Sequence, residues 1–100
     1  MIYITQLIYI KAGKEQEFQE FENHVIPLME KYTGKIIQRI RPTVESFVSG
    51  EENQPYEIHF LSFDSQEKLD EYLRDDSRLQ YIHLKEASIQ STLLVKGTKI

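Results

Sequence analysis

The chain has 100 residues, 40% hydrophobic and 28% charged, with a net charge of −4 and no cysteine. This length fits one domain, residues 1–100, and the composition excludes disordered and fibrous classes. Ten acidic and two basic groups in residues 42–76 argue against nucleic-acid binding, which needs clustered Lys and Arg, and the missing thiols exclude disulfides and Cys-ligated metals.

Residues 2–10, Ile-Tyr-Ile-Thr-Gln-Leu-Ile-Tyr-Ile, read as a first strand broken by Ala12-Gly13. A helix begins near Lys14 and runs to about Tyr32. Phe18, Phe21, Val25, Leu28, Met29 and Tyr32 are spaced three and four residues apart, as one buried helical face requires. Pro27 lies inside this pattern, so a kink or restart is expected near Val25. Gly34 is the expected stop.

Lys35–Arg41 reads as a second strand that resumes after Pro42 as Thr43–Val48, and Gly50–Pro55 reads as the turn of a long hairpin. Tyr56–Phe63 is the third strand. Asp64 and Glu67 form a capping box opening a second helix that presents Leu69, Tyr72 and Leu73. Asp75-Asp76-Ser77 interrupts this helix and caps a further segment over about Arg78–Ser88. Ser91–Lys96 is the fourth strand, ended by Gly97. The order β-α-β-β-α-β is α+β: a ferredoxin-like four-stranded antiparallel sheet with two helices on one face.

A sheet with one wet face should alternate apolar and polar residues. Here Ile2, Ile4, Ile8 and Ile10 point one way while Tyr3, Leu7 and Tyr9 point the other. Ile58 and Phe60 oppose Leu61 and Phe63, and Leu93 and Val95 oppose Leu94. Two helices cover one face, so the other implies a second copy packed sheet to sheet as a homodimer. No apolar run approaches the ~18 residues of a membrane span. The N-terminus shows a strand pattern rather than a signal peptide, so a cytoplasmic setting is expected.

This plan, the two-faced sheet and the stretches Ile26-Pro-Leu…Tyr32-Thr-Gly-Lys35…Arg39-Ile-Arg41 and Tyr56–Leu73 followed by Asp75-Asp-Ser-Arg-Leu-Gln-Tyr81 resemble the dimeric α/β-barrel superfamily, in particular its small uncharacterised members. The resemblance implies a homodimer with a small-molecule pocket between each sheet and its helices. Relatives in that superfamily include antibiotic-biosynthesis-type monooxygenases, haem-degrading enzymes, muconolactone-isomerase-like enzymes and dye-decolourising peroxidases, so the fold does not carry one function. The Trp, Asn and His set of its haem-degrading members does not transfer, because this chain has no tryptophan.

Among chemical groups, His59 is the acid/base candidate if its side of the third strand faces the helices, since imidazole titrates near neutrality. If it faces the other way, a structural hydrogen bond at the dimer interface is expected. His24, at the edge of the apolar face of the first helix, is the alternative, and His83 reads as a surface residue. Arg39 and Arg41 share one face of the second strand. They suit either a substrate carboxylate or an ion pair with the acidic middle segment. Tyr32, Tyr72 and Tyr81 offer phenolic groups near the expected pocket, or pack in the core with a hydrogen-bonded tip. Glu20 and His24 are one helical turn apart, but no third ligand can be named, so neither a metal nor a cofactor is expected. The sequence thus leaves two readings: a homodimer binding a small metabolite, or a cofactor-independent monooxygenase or isomerase-like enzyme acting on a small aromatic or acidic compound.

Overall fold

A computed structural model describes residues 1–50 and 53–100. The chain folds as β1 (Ile2–Ile10), α1 (Glu15–Val25), β2 (Lys35–Ile40), β3 (Glu57–Phe63), α2 (Gln66–Leu73), α3 (Asp76–Leu79), α4 (Ile82–Ser88) and β4 (Ile89–Gly97). The strands form one sheet in the order β2-β3-β1-β4, with every neighbouring pair antiparallel. This is the ferredoxin-like arrangement expected from the element order.

Strand parity decides which residues meet the helices, because successive side chains point to opposite faces. Ile4 and Ile8 of β1 are buried, as are Glu57, His59, Leu61 and Phe63 of β3. Ile4 lies opposite Leu61 in the register, so these residues share the helix-covered face. Helix α1 covers it with Phe18, Phe21 and Val25, and α2 adds Leu69 and Tyr72. Most of the buried apolar residues fall in two clusters. One contains Ile4, Met29, Leu61, Phe63, Leu69 and Tyr72, and the other Phe21, Val25 and Leu84.

Local chemistry shapes the connections. Pro27 ends the α-helical ladder as anticipated: α1 stops at Val25 and the chain continues as a 3-10 helix, Ile26–Tyr32. That segment ends with Thr33 in the left-handed region at φ 63°. Gly34 is required for a different reason from the one its sequence context suggests. A Cβ there would lie 2.7 Å from the Phe63 ring and 2.8 Å from Met29 Cβ.

Three expectations about elements are corrected. The second strand does not resume after Pro42: Val44–Ser46 is a 3-10 turn, with Thr43 and Ser46 forming its capping box. The N-cap of α2 is Ser65, one residue later than read, and its hydroxyl accepts from Lys68 N–H at 3.2 Å. The helical stretch after Asp75 is two short helices, α3 and α4, with Asp75 capping the first through Arg78 N–H at 3.0 Å. The hairpin turn expected over Gly50–Pro55 includes residues 51 and 52, which lie outside the described residues.

The opposite sheet face is open. The molecule is a slab of 36 × 36 × 16 Å, one sheet and one helical layer thick. Tyr3, Thr5 and Leu7 are half-buried there, while Ile37, Leu93 and Val95 are about half exposed.

Candidate functional site

The polar residues on the helix-facing side of β3 are the first unusual feature. Leu61 and Phe63 continue the core, but Glu57 and His59 occupy equivalent positions and are as deeply buried, at 1% and 3% exposure. A buried carboxylate must be compensated. Arg39 Nε donates to Glu57 Oε2 at 2.7 Å and Arg41 Nη2 to Glu57 Oε1 at 2.7 Å. His59 Nε2 meets the same carboxylate. Backbone register accounts for this assembly: Arg39 lies opposite His59 across β2 and β3. A register shift between Ile36 and Gln38 is the irregularity that turns both arginines toward the helix side.

Burial alone pushes the Glu57 carboxyl up, but hydrogen bonds from His59, Arg39 and Arg41 outweigh it and hold it at about 2. Glu57 is therefore a fixed negative charge that orients the imidazole. The guanidinium of Arg41 also lies 4.6 Å from the Tyr56 ring centre, which holds the outer end of the array.

Glu22 of α1 completes the cluster. A carboxylate oxygen from each of Glu22 and Glu57 and a ring nitrogen of His59 lie within 4.8 Å of one another. Glu22 is buried at 6% exposure, and among the described residues it forms no ion pair. Burial raises its carboxyl to about 7, with His59 opposing and Glu57 adding to the rise. Two carboxyls in one cluster are thus driven apart: Glu57 stays ionised while Glu22 exchanges its proton near neutrality. That separation is a mark of acid/base sites.

The three donor groups also have the proximity a divalent ion needs. Both Glu57 oxygens are already engaged by cationic or imidazole donors, however, and that donor set suits proton transfer better than metal ligation.

The cluster opens on a cavity of about 260 Å3 between sheet and helices, just below the about 300–1,000 Å3 common for ligand pockets. Apolar side chains from both core clusters line it, with Gln6, Glu22, His59, Tyr72, Arg78 and Lys85 among its polar groups. Thr92 and Leu94 form its β4 wall and are exposed, so the cavity opens along that strand. Tyr72 directs its hydroxyl to Val25 C=O at 3.0 Å. A larger hollow of about 430 Å3 near Lys31 and Asp75 is a polar surface feature. Its buried carboxylate, Asp75, is already satisfied by Tyr32, Lys31 and the Arg78 amide.

The sequence-derived candidates separate cleanly. His59 and Tyr72 line the cavity. Arg39 and Arg41 serve the ion-pair alternative, binding Glu57 of the acidic middle segment. His24 and Tyr81 stack on each other at 3.9 Å between ring centres; His24 is exposed, and neither lines the cavity. Glu22, Glu57, Arg78 and Lys85 were not singled out from the sequence. A signal existed for two of them. Glu22 lies four residues after Phe18 and three before Val25, inside the buried arc. Glu57 shares its strand face with Leu61 and Phe63.

No protein-family model matches the chain, and no curated protein does. Solved structures do. A protein of unknown function from Rhodopseudomonas palustris superposes with a TM-score of 0.85 at 12% identity, covering 99% of this chain and 82% of that one. An uncharacterised NIPSNAP domain protein from Burkholderia xenovorans gives a TM-score of 0.71 at 10% identity, over 100% and 95% of the two chains. A Bacteroides fragilis protein, described as dimeric, of unknown function and ferredoxin-like in fold, gives 0.69 at 12% identity, over 96% and 93%. At these identities the likeness speaks for architecture: the chain has the ferredoxin-like fold shared by small uncharacterised proteins that include NIPSNAP-domain and dimeric members.

Proposed function

We propose that the protein binds a small metabolite in the cavity between sheet and helices and works as a homodimer joined through the open sheet faces. The observation that carries the binding reading is the cavity itself: a mostly apolar chamber of about 260 Å3 with a rigid, ion-paired polar cluster at its wall. Sites for small ligands combine apolar walls with a few convergent polar groups in this way. The dimer is supported by Ile37, Leu93 and Val95, which leave the outer sheet face apolar and about half exposed. The dimeric description of the Bacteroides fragilis neighbour points the same way.

A thermal-shift screen against a metabolite library tests the binding. Compounds should stabilise the wild type and lose that effect in Leu94→Trp, where an indole from the exposed wall fills the cavity. A screen without hits, or hits unaffected by Leu94→Trp, would contradict it.

A second reading, proton-transfer catalysis without a cofactor, is favoured by one observation. Glu22 has a carboxyl raised to about 7 and sits beside an imidazole held by the ionised Glu57. A general acid/base works best when its pKa lies near the working pH. In this reading His59 and Glu22 remove and return a proton of the bound compound, and Glu57 positions His59. Incubating a screening hit with the protein in D2O reads this directly. Deuterium should enter the compound's carbon-bound positions with the wild type and not with Glu22→Gln.

A further inference from the structure

We propose that Arg78 and Lys85 form an anion-binding subsite inside the sheet–helix cavity, selecting small carboxylates with an apolar or aromatic body. The proposal rests on the reading of that cavity as a metabolite site and adds the charge of its ligand. The two cations come from different helices, α3 and α4, yet line the same cavity. Arg78 is buried, at 9% exposure. Its Nε has no hydrogen-bond partner, and no carboxylate among the described residues forms an ion pair with it. Arg39 and Arg41, in contrast, are both ion-paired with Glu57. An unpaired guanidinium removed from water is costly, so an interior one normally has an anion.

The surroundings hold this guanidinium in place without neutralising it. Its central carbon lies 5.1 Å from the Tyr72 ring centre and 5.9 Å from that of Phe21. The rings attract the cation, and the Tyr72 hydroxyl, which donates to Val25 C=O, is hydrogen-bonded to it, but these neutral groups leave its charge uncompensated. The edge of the fork is the part matched to a carboxylate, through paired N–H···O bonds.

Lys85 reinforces the case. Its amine is pushed down first by burial and then by the positive charge of Arg78, with Glu86 opposing. The two cations therefore sense each other, and an anion between them would relieve both. The acidic group of the cavity, Glu22, feels the field of Arg78 but makes no ion pair with it. The remaining wall, including Ile4, Leu61 and Phe63, suits an apolar body, and the volume limits it to a small one.

Calorimetric titration of the full chain with matched pairs tests this: phenylacetate against phenylacetamide, and hexanoate against hexanamide. The acids should bind about tenfold or more tightly than the amides, the loss expected when hydrogen bonds to a charged group are removed. Arg78→Met should abolish the preference, bringing the acids to the affinity of the amides. Because Arg78 is buried, Lys85→Met provides a second variant at a half-buried position, and it should narrow the preference. Amides binding as well as acids to the wild type would overturn the subsite while leaving the cavity reading intact. So would a preference unchanged in Lys85→Met, or library hits that include none of the four probes. Failure of every probe and every library compound would remove the cavity reading and this inference together.

Discussion

Glu22 and Glu57 occupy one buried cluster and respond to pH in opposite senses. Glu22 is raised from 4.5 to about 7 by burial, so the folded state binds its proton more tightly than the unfolded chain. Its contribution is complete below pH 4.5 and is lost as pH rises through about 7. Glu22→Gln removes that loss. Relative to wild type, the variant should gain on the order of 3 kcal/mol between pH 4.5 and pH 8 in urea unfolding; an unchanged difference would argue against a buried, proton-exchanging Glu22. Glu57 is held down at about 2, so its stabilisation is present above pH 4.5 and fades as pH falls through 2. At pH 7, Glu57→Gln should cost about 3 kcal/mol, since it leaves the imidazole and two guanidiniums without their anion. Arg41→Ala should cost clearly less, because the Arg41 side chain is 47% exposed. The same unfolding series checks both. His59 was legible in the sequence as an acid/base candidate, conditional on strand parity. Glu57, two residues earlier on the same strand face, left a signal as well; the meeting of Glu22 with His59 did not, because it depends on how α1 crosses the sheet, and no spacing within a single element encodes that.

At the level of elements, periodicity served well where each segment satisfied its own hydrogen bonds. The apolar spacing of α1 and the break caused by Pro27 both appear in the structure. Failures fell where a side chain competes with the backbone ladder. Thr43 and Ser46 cap each other and stop β2 from resuming after Pro42, although Val44, Phe47 and Val48 look strand-like. Ser65 displaces Asp64 as the cap of α2. Gly34 shows the limit of local reading most clearly: beside Met29, its constraint comes from Phe63, 29 positions later, on the neighbouring strand. Gly34→Ala should therefore destabilise the fold by about 1–3 kcal/mol through overpacking. Adding Phe63→Leu should recover part of that loss by removing the ring the new methyl meets. A neutral Gly34→Ala in thermal unfolding would contradict the close packing of β2 on β3.

At the scale of the molecule, the two-faced sheet was readable because parity along a strand survives any detail of helix packing. In the proposed dimer, one face of the subunit serves the cavity and the other meets a second copy. Leu93→Glu combined with Val95→Glu places charge on the outer face without touching Leu94, which lines the cavity. Light scattering should then give the mass of one 11.9 kDa chain, against twice that for the wild type; a wild-type monomer would refute the dimer.

The cavity is where sheet, helices and polar cluster meet, and the proposed function requires that a small molecule occupy it. The most direct measurement is calorimetric titration of the strongest stabilising compound into wild type and Leu94→Trp. One site per chain is expected in the wild type and binding weaker by about tenfold or more in the variant, as loss of cavity volume requires. Equal affinity in the two proteins would place the ligand elsewhere and contradict the proposed function.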